Sequence, residues 1–202
     1  MPSQSDPTGD IDAMSATSQL LLSLGERDAL WLVHRLDRNV SGLLAFARNK
    51  KSAAELSKII QNGIFSKKYL AICHGEAAEG EYRDFLYKDS ATSKAYVVKT
   101  ERRGSKEARL DLFRLETKED KSLVHVTLHT GRFHQIRAQL SNERLPITGD
   151  GKYGSRDNAA RNIALMAAHL GVSLPKEEID VIRLPDLSVY PWSLFSEESY
   201  KL

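Results

Sequence analysis

Ten residues, Val33 to Gly42 (VHRLDRNVSG), constrain this chain more than any other stretch. Positions 34–38 hold His34, Arg35, Asp37 and Arg38; Asn39, Ser41 and Gly42 follow, then the apolar run Leu43-Leu44-Ala45-Phe46-Ala47. A charged loop braced by a buried strand is how many folds hold reactive groups on a rigid scaffold. Arg35 and Arg38 flank Asp37 in sequence, and nearby cations favour an ionised carboxylate. Such a group can act as a base or a nucleophile. The same residues also suit a surface loop of exposed ion pairs, which contribute little stability.

The bulk numbers describe an ordinary globular chain: 202 residues, 41% hydrophobic and 28% charged. That length suits one domain, or one domain with an extended terminus. No apolar run approaches the roughly 20 residues of a membrane span. Met1 to Pro7 (MPSQSDP) show neither the basic nor the apolar part of a signal peptide. The one cysteine, Cys73, excludes an internal disulfide and a cysteine-based zinc site, and in its apolar surroundings reads as a buried thiol. A reducing cytoplasm fits. The net charge of +2 says little about partners, because nucleic acid responds to local charge. Local clusters exist at Lys50-Lys51, Lys67-Lys68, Arg102-Arg103 with Lys106, and Arg132 with Arg137. Each alone also suits a solvated face.

Patterning sets out an α+β order. Residues 1–14 read as loop or extended arm, and Ser15–Leu24 as a short helix stopped by Gly25. Leu30–Val33 and Leu43–Ala47 are strands flanking the Asp37 loop, and Lys51–Gln61 is an amphipathic helix ended by Asn62-Gly63. Ser66–His74 is a strand, Gly75–Gly80 a turn and Asp84–Ser93 a polar connector. Ala95–Glu101, Glu107–Glu116 and Ser122–His129 form an antiparallel meander, the last alternating Val124, Val126, Leu128 against His125, Thr127, His129. Arg132–Leu140 is a helix and Pro146–Gly154 a turn-dense loop. Periodicity leaves Ile163–Leu170 open between strand and helix. Beyond Pro175 a helix or loop is expected, with an edge segment near Tyr190-Pro191-Trp192.

Two positions stand out. Phe133, Ile136, Arg137 and Leu140 share one helical stripe, so Arg137 points with the apolar side chains. A guanidinium there needs a carboxylate or phosphate, and Asp37 is the preferred partner. The alternative is that Arg137 snorkels to water. Tyr69, next to Lys67 and Lys68, suits stacking on a base beside phosphate contacts, or an ordinary place in the core.

These segments carry a resemblance. His34-Arg35-Leu36-Asp37, two further positions, then Val40-Ser41-Gly42-Leu43-Leu44 resembles the catalytic motif of the RluA-type pseudouridine synthases. Thr130–Arg137 (TGRFHQIR) is similar to that family's T-G-R-x-H-Q-I-R segment, Lys67-Lys68-Tyr69 to its K-x-Y, and Pro146–Gly154 to a loop bordering its site. The likeness runs from about Gly9 to Leu184 and favours a strand at Ile163–Leu170. Val40 stands where the family usually has Thr, and Met166 where it often has His. The chain begins at Met1-Pro2-Ser3-Gln4, inside a region that the family normally precedes with a strand pair and an N-K-P-x-G motif.

The resemblance implies a pseudouridine synthase fold: an α+β domain with a long, bent, mostly antiparallel mixed sheet flanked by helices, its N-terminal strands truncated. One catalytic domain over 1–202 is expected, without a separate RNA-binding domain. The implied reaction isomerises uridine in ribosomal or transfer RNA to pseudouridine, with no cofactor and no metal. Asp37 would attack the nucleoside or deprotonate its ribose, Arg137 would position it, and Tyr69 would stack and help remove the C5 proton. His34, Arg35, Lys68, Arg132, His134 and Gln135 would contact RNA, Arg35 filling the gap left by a flipped nucleotide. A cytoplasmic monomer without membrane contact is expected. Two rivals remain: a non-catalytic RNA-binding protein or RNA chaperone on the same fold, and a metal-dependent phosphoesterase built on the His- and Asp-rich segments.

Overall fold

A computed structural model describes residues 1–4, 10–26, 29–174 and 177–200. Helix α1 (Ala13–Ser23) begins where the Asp12 carboxylate accepts the Ser15 backbone N–H at 2.9 Å, so the cap sets its start ahead of Ser15. Strands β1 (Trp31–Leu32), β2 (Ser41–Gly42) and β3 (Phe46–Ala47) surround the Asp37 loop. Helix α2 (Lys50–Gln61) is capped by Asn49 accepting from the Ser52 N–H at 2.8 Å. Its Leu56, Ile59 and Ile60 pack on Phe65, Leu170 and Val172.

Then follow β4 (Ser66–His74), β5 (Gly80–Asp89), β6 (Lys94–Val98), β7 (Ser105–Lys118), β8 (Lys121–Leu128), α3 (Gln135–Asn142), β9 (Leu165–Ser173) and β10 (Glu178–Ile182). Among the described residues one sheet runs in the order β10-β9-β4-β8-β7-β5-β6, with β2 added parallel to β9 and every other pairing antiparallel. The ladder slips between Lys68 and Tyr69 and again between Arg114 and Glu116, irregularities of the kind that bend a strand. This is the mixed, mostly antiparallel α+β sheet expected. No described helix is long and apolar enough to cross a membrane.

The core lies where β4, β8 and β9 cross the middle of the sheet. Leu70, Ile72, Leu110, Leu112, Leu123, Val124 and Val126 are fully buried there, against Ile136 and Leu140 of α3 and Ile147. Val124 and Val126 are buried while His125 between them is part-exposed, as the alternation predicts.

Four expectations need correction. The three strands β6, β7 and β8 are not a simple meander: β7 and β8 pair directly, but β5 lies between β7 and β6. The polar connector Asp84–Ser93 is largely strand β5. The strand begins ahead of that segment, where Glu81 and Arg83 pair across to Arg109 (3.2 Å) and Glu107 (2.6 Å) on β7. Helix α3 starts at Gln135, not Arg132, because His134 takes a left-handed conformation (φ 53°) that no helix interior accepts. The segment at Tyr190-Pro191-Trp192 is not a sheet edge; Trp192 is buried and β10 forms the edge beside β9. Pro175 lies outside the described residues.

Candidate active site

Gly42 anchors the loop that carries Asp37. A Cβ there would sit 2.2 Å from the Ala167 carbonyl oxygen, and its φ of +113° is a glycine conformation. The bare backbone lets β2 lie against β9, and the Leu43 N–H donates to that same carbonyl at 2.9 Å. On the other side, the Val40 N–H closes a turn onto the Asp37 carbonyl at 3.0 Å. The Ser3 hydroxyl brackets Leu36, donating to its carbonyl and accepting from its N–H, each at 3.1 Å. His34 Nε2 accepts the Ala45 N–H at 3.0 Å, so the ring's proton sits on Nδ1. Burial and nearby Lys67 push that ring down to about 4, so it braces the loop as a neutral imidazole.

Arg137 reaches Asp37 from α3. Its Nη1 donates to Asp37 Oδ2 at 3.2 Å, as expected from the stripe. Its main partner is another residue. Asp150, 1% exposed, takes Nε at 2.7 Å and Nη2 at 2.9 Å in a two-pronged pair, so the fork is fixed before it touches Asp37. The Tyr153 ring lies 4.9 Å from the same guanidinium. Asp37 itself is 24% exposed, and Oδ2 is the oxygen that Arg137 engages. Burial pushes its carboxyl above the usual range; Arg137 opposes this, Asp150 adds to it, and Arg35 opposes it last. Arg38, counted beside Asp37 in the sequence, instead pairs with Asp10.

Around Asp37 opens a cleft of about 1120 Å³. Arg35, Lys67, Arg109, Arg132 and Arg137 line it, and Asp37 is the only carboxylate among the described lining residues. A chain with net charge +2 has therefore concentrated its positive charge where the acid is. Arg35 is exposed and forms no hydrogen bond or ion pair among the described residues. Arg132 spends Nε on the Glu107 carbonyl at 2.7 Å, which holds the side chain along the cleft wall. Tyr69 is buried in the floor, and burial together with Asp37 pushes its phenol above the ordinary range. It therefore presents a neutral phenol whose ring borders the cleft.

The remaining expected contacts divide. Lys68 stands on the sheet face away from the cleft, near His125, while Lys67, two residues from Tyr69 and on its side of the strand, enters it. Burial holds the Lys67 ammonium below the usual lysine range. Gln135 borders the cleft but its amide is consumed within the protein: Oε1 accepts from Thr130 Oγ1 (2.8 Å) and the Arg132 N–H (3.0 Å), and Nε2 donates to the Arg109 carbonyl (3.1 Å). It staples the 130–132 loop to β7. His134 lies 3.8 Å from Asp37 Oδ2 through Nε2 and 2.9 Å from the Tyr153 hydroxyl through Nδ1. Arg109 was not singled out by sequence reasoning; Lys67 was named only within a basic cluster beside Tyr69, and Asp150 and Tyr153 only as part of a loop bordering the site. The signal for Asp150 was present, since a guanidinium on an apolar stripe has more donors than one carboxylate can satisfy.

Among the described residues no group of three or more His, Cys, Asp or Glu is placed to hold a metal ion. His129 pairs with Asp111 at 2.7 Å, and Cys73 is buried with its thiol pushed up to about 12.

Comparison with known proteins agrees with this geometry. A family model described as RNA pseudouridylate synthase matches residues 1–142. An uncharacterized RNA pseudouridine synthase of Bacillus subtilis, YlyB, is 34% identical over 148 residues, 72% of this chain and 48% of that protein. The ribosomal large subunit pseudouridine synthase C of Rickettsia prowazekii is 33% identical over 137 residues, 62% of this chain and 42% of that one. The chain spans about half the length of the curated relatives it matches. The solved structure of human RNA pseudouridylate synthase domain containing 4 superposes with a TM-score of 0.75 at 22% identity, over 92% of this chain and 82% of that one, which shows a shared fold. An acid pinned by a buried arginine, on this sheet and behind these motifs, is thus accounted for: the chain belongs to the RNA pseudouridylate synthase family, in its RluA-type branch.

Proposed function

We propose that this protein isomerises uridine in RNA to pseudouridine, with Asp37 as the reacting group. The observation that carries the reading is a carboxylate, the only one among the described lining residues, oriented by a buried arginine in a cleft that four further cations line. The reaction breaks the N1–C1′ bond, forms C5–C1′, releases the C5 proton and protonates N1. Atoms and electrons balance without an oxidant or a cofactor. Arg137 engages Oδ2 and leaves Oδ1 as the oxygen that attacks the nucleoside or deprotonates its ribose. Elevation of the carboxyl by burial makes it a stronger base and nucleophile than a solvated aspartate. Tyr69 offers its ring as a stacking surface for the uracil, and Arg35, exposed and unpaired among the described residues, is free to occupy the place of an extruded nucleotide.

Ribosomal RNA is the first substrate to try, on the strength of the large-subunit enzymes among the relatives, and transfer RNA the second. We assign the protein to the cytoplasm as a monomer whose described residues form one catalytic domain. Its one cysteine, buried and protonated, suits a reducing compartment. His34 and Gln135 also brace the cleft wall from within the protein.

The test is direct. Unmodified ribosomal and transfer RNA transcripts are incubated with the protein, with and without a chelator, checked for cleavage on a gel, then digested to nucleosides and separated by chromatography. Pseudouridine in any digest supports the reading. Its absence from every digest, with RNA still bound, would turn the protein into a non-catalytic binder. Cleaved RNA that chelator protects would point to the phosphoesterase.

The phosphate-facing side of the cleft carries its own prediction. Lys67→Ala is expected to weaken RNA binding and to lower the salt dependence of log affinity by about 0.7–1, one phosphate contact, whereas Lys68→Ala changes neither. Equal effects from the two variants would contradict the placement of Lys67 in the cleft.

A further inference from the structure

His134 and Tyr153 form a connected pair beside Asp37. The Tyr153 hydroxyl accepts the Ala95 backbone N–H at 2.8 Å and meets His134 Nδ1 at 2.9 Å. A phenol has one proton to give. With the Ala95 N–H pointing at the oxygen, Nδ1 of His134 is the acceptor in reach, which leaves the imidazole proton on Nε2. Nε2 is the nitrogen that faces Asp37 Oδ2, at 3.8 Å, and a carboxylate there favours the same tautomer. Two independent arguments thus place the hydrogen on one atom.

The ring is held as firmly as its proton. The His134 backbone is left-handed at φ 53° and ψ 29°, a conformation that costs energy in a residue with a Cβ and that turns the side chain out of the line of α3. Phe133 stacks on the imidazole at 3.8 Å between centroids, and the Tyr153 ring meets it edge-on at 5.5 Å. Tyr153 is itself wedged, 3% exposed, with Lys94 and Arg137 each 4.9 Å from its ring. The groups facing the imidazole are Asp37, Arg137, Lys152, Lys88 and Tyr153. Burial and the three cations keep it neutral, down to about 3.

We propose that Tyr153 and His134 are a positioning pair for Asp37: the Tyr153 hydroxyl fixes His134 as the Nε2–H tautomer, and that N–H closes on Asp37 Oδ2 beside the Arg137 donor when RNA is bound. Both donors then lie on one oxygen, and Oδ1 alone faces the nucleoside. The closing of a 3.8 Å approach on substrate binding is ordinary for a site seen without its ligand. A neutral imidazole is suited to the task, because it donates without adding a charge that would stabilise the unreacted carboxylate too strongly. The consequence for turnover rests on the synthase reading; the tautomer does not.

The experiment has two arms. Long-range proton–nitrogen correlation on the full chain labelled with 15N-histidine reads the His134 ring, assigned by its disappearance in His134→Gln. The expected spectrum has Nε2 protonated and Nδ1 bare, unchanged from about pH 8 to about pH 5. On a transcript that the wild type converts, Tyr153→Phe is expected to lower kcat about tenfold with KM held within about twofold, and to move the acid limb of the pH profile upward, since Asp37 loses an aligned donor. His134→Gln, whose amide can still donate toward Oδ2, retains more turnover than His134→Ala. This second pair decides the question should Tyr153→Phe fail to fold.

A wild-type ring protonated on Nδ1, or doubly protonated by about pH 5, overturns the pairing. So does a folded Tyr153→Phe whose acid limb stays in place. The Nε2–H spectrum in a protein that converts no transcript would sink the synthase reading and leave the pair standing. Conversion by a protein with the proton on Nδ1 would do the reverse.

Discussion

An Asp37→Asn variant is expected to lose pseudouridine formation altogether and to melt no earlier than the wild type. The first half follows from chemistry, because an amide is neither a nucleophile nor a base for a ribose. The second follows from linkage. Burial raises the Asp37 carboxyl in the folded protein above its value in the unfolded chain. The folded state therefore holds that proton more tightly, so the stability this group contributes is full below the unfolded value and is lost as pH rises through the folded one. At neutral pH the ionised carboxylate is a cost, and Asn removes it. Arg137 is not orphaned by the change, since both prongs of its pair with Asp150 remain. Thermal melting with circular dichroism checks this, and a drop of more than about 4 °C, roughly 1 kcal/mol or more in a chain of this size, would contradict it. The same raised carboxyl sets the pH profile: activity falls as pH drops through a value above the ordinary aspartate range.

Asp150→Ala has the opposite signature. Arg137 is 5% exposed and makes two of its three carboxylate contacts to Asp150. Removing one partner of a buried pair leaves the other charge in low dielectric, a loss of about 3–5 kcal/mol. In melting temperature that is roughly 6–20 °C. Turnover falls as well, because the fork that aims Nη1 at Asp37 is no longer fixed. Denaturant unfolding at neutral pH measures the stability term, and a loss under about 1 kcal/mol would show that Asp150 does not hold Arg137 in solution. Arg137→Lys is no substitute, since an ammonium cannot span Asp150 and Asp37 in one plane.

Much of this was legible in the chain. Strand β4 matches the segment Ser66–His74 read from its pattern, and the alternation in β8 named Val124 and Val126 among its buried side chains. Arg137 was found as a cation on an apolar stripe, and Asp37 as its partner, before any coordinates. What escaped did so for physical reasons. Strand β5 hides its pattern under cross-strand charge pairs, which are invisible until the register is known. Asp150 lies in a turn-rich loop whose composition says only that it turns, and its burial depends on where the chain folds back. Lys67 and Lys68 are equal in composition, and only the period of the strand separates them; Tyr69 already marked which side faces the cleft. The start of α3 was missed because the helical pattern runs back to Arg132 and nothing in it marks His134 as left-handed.

The most direct test of the account is release of tritium from transcripts carrying C5-tritiated uridine, run with wild type and Asp37→Asn side by side, with chelator present. Forming the C5–C1′ bond must expel the C5 hydrogen, so the label reports the isomerisation itself rather than binding. The account predicts release by the wild type and none by a folded Asp37→Asn. Equal release by both, or none by a wild type that binds the same RNA, would contradict it.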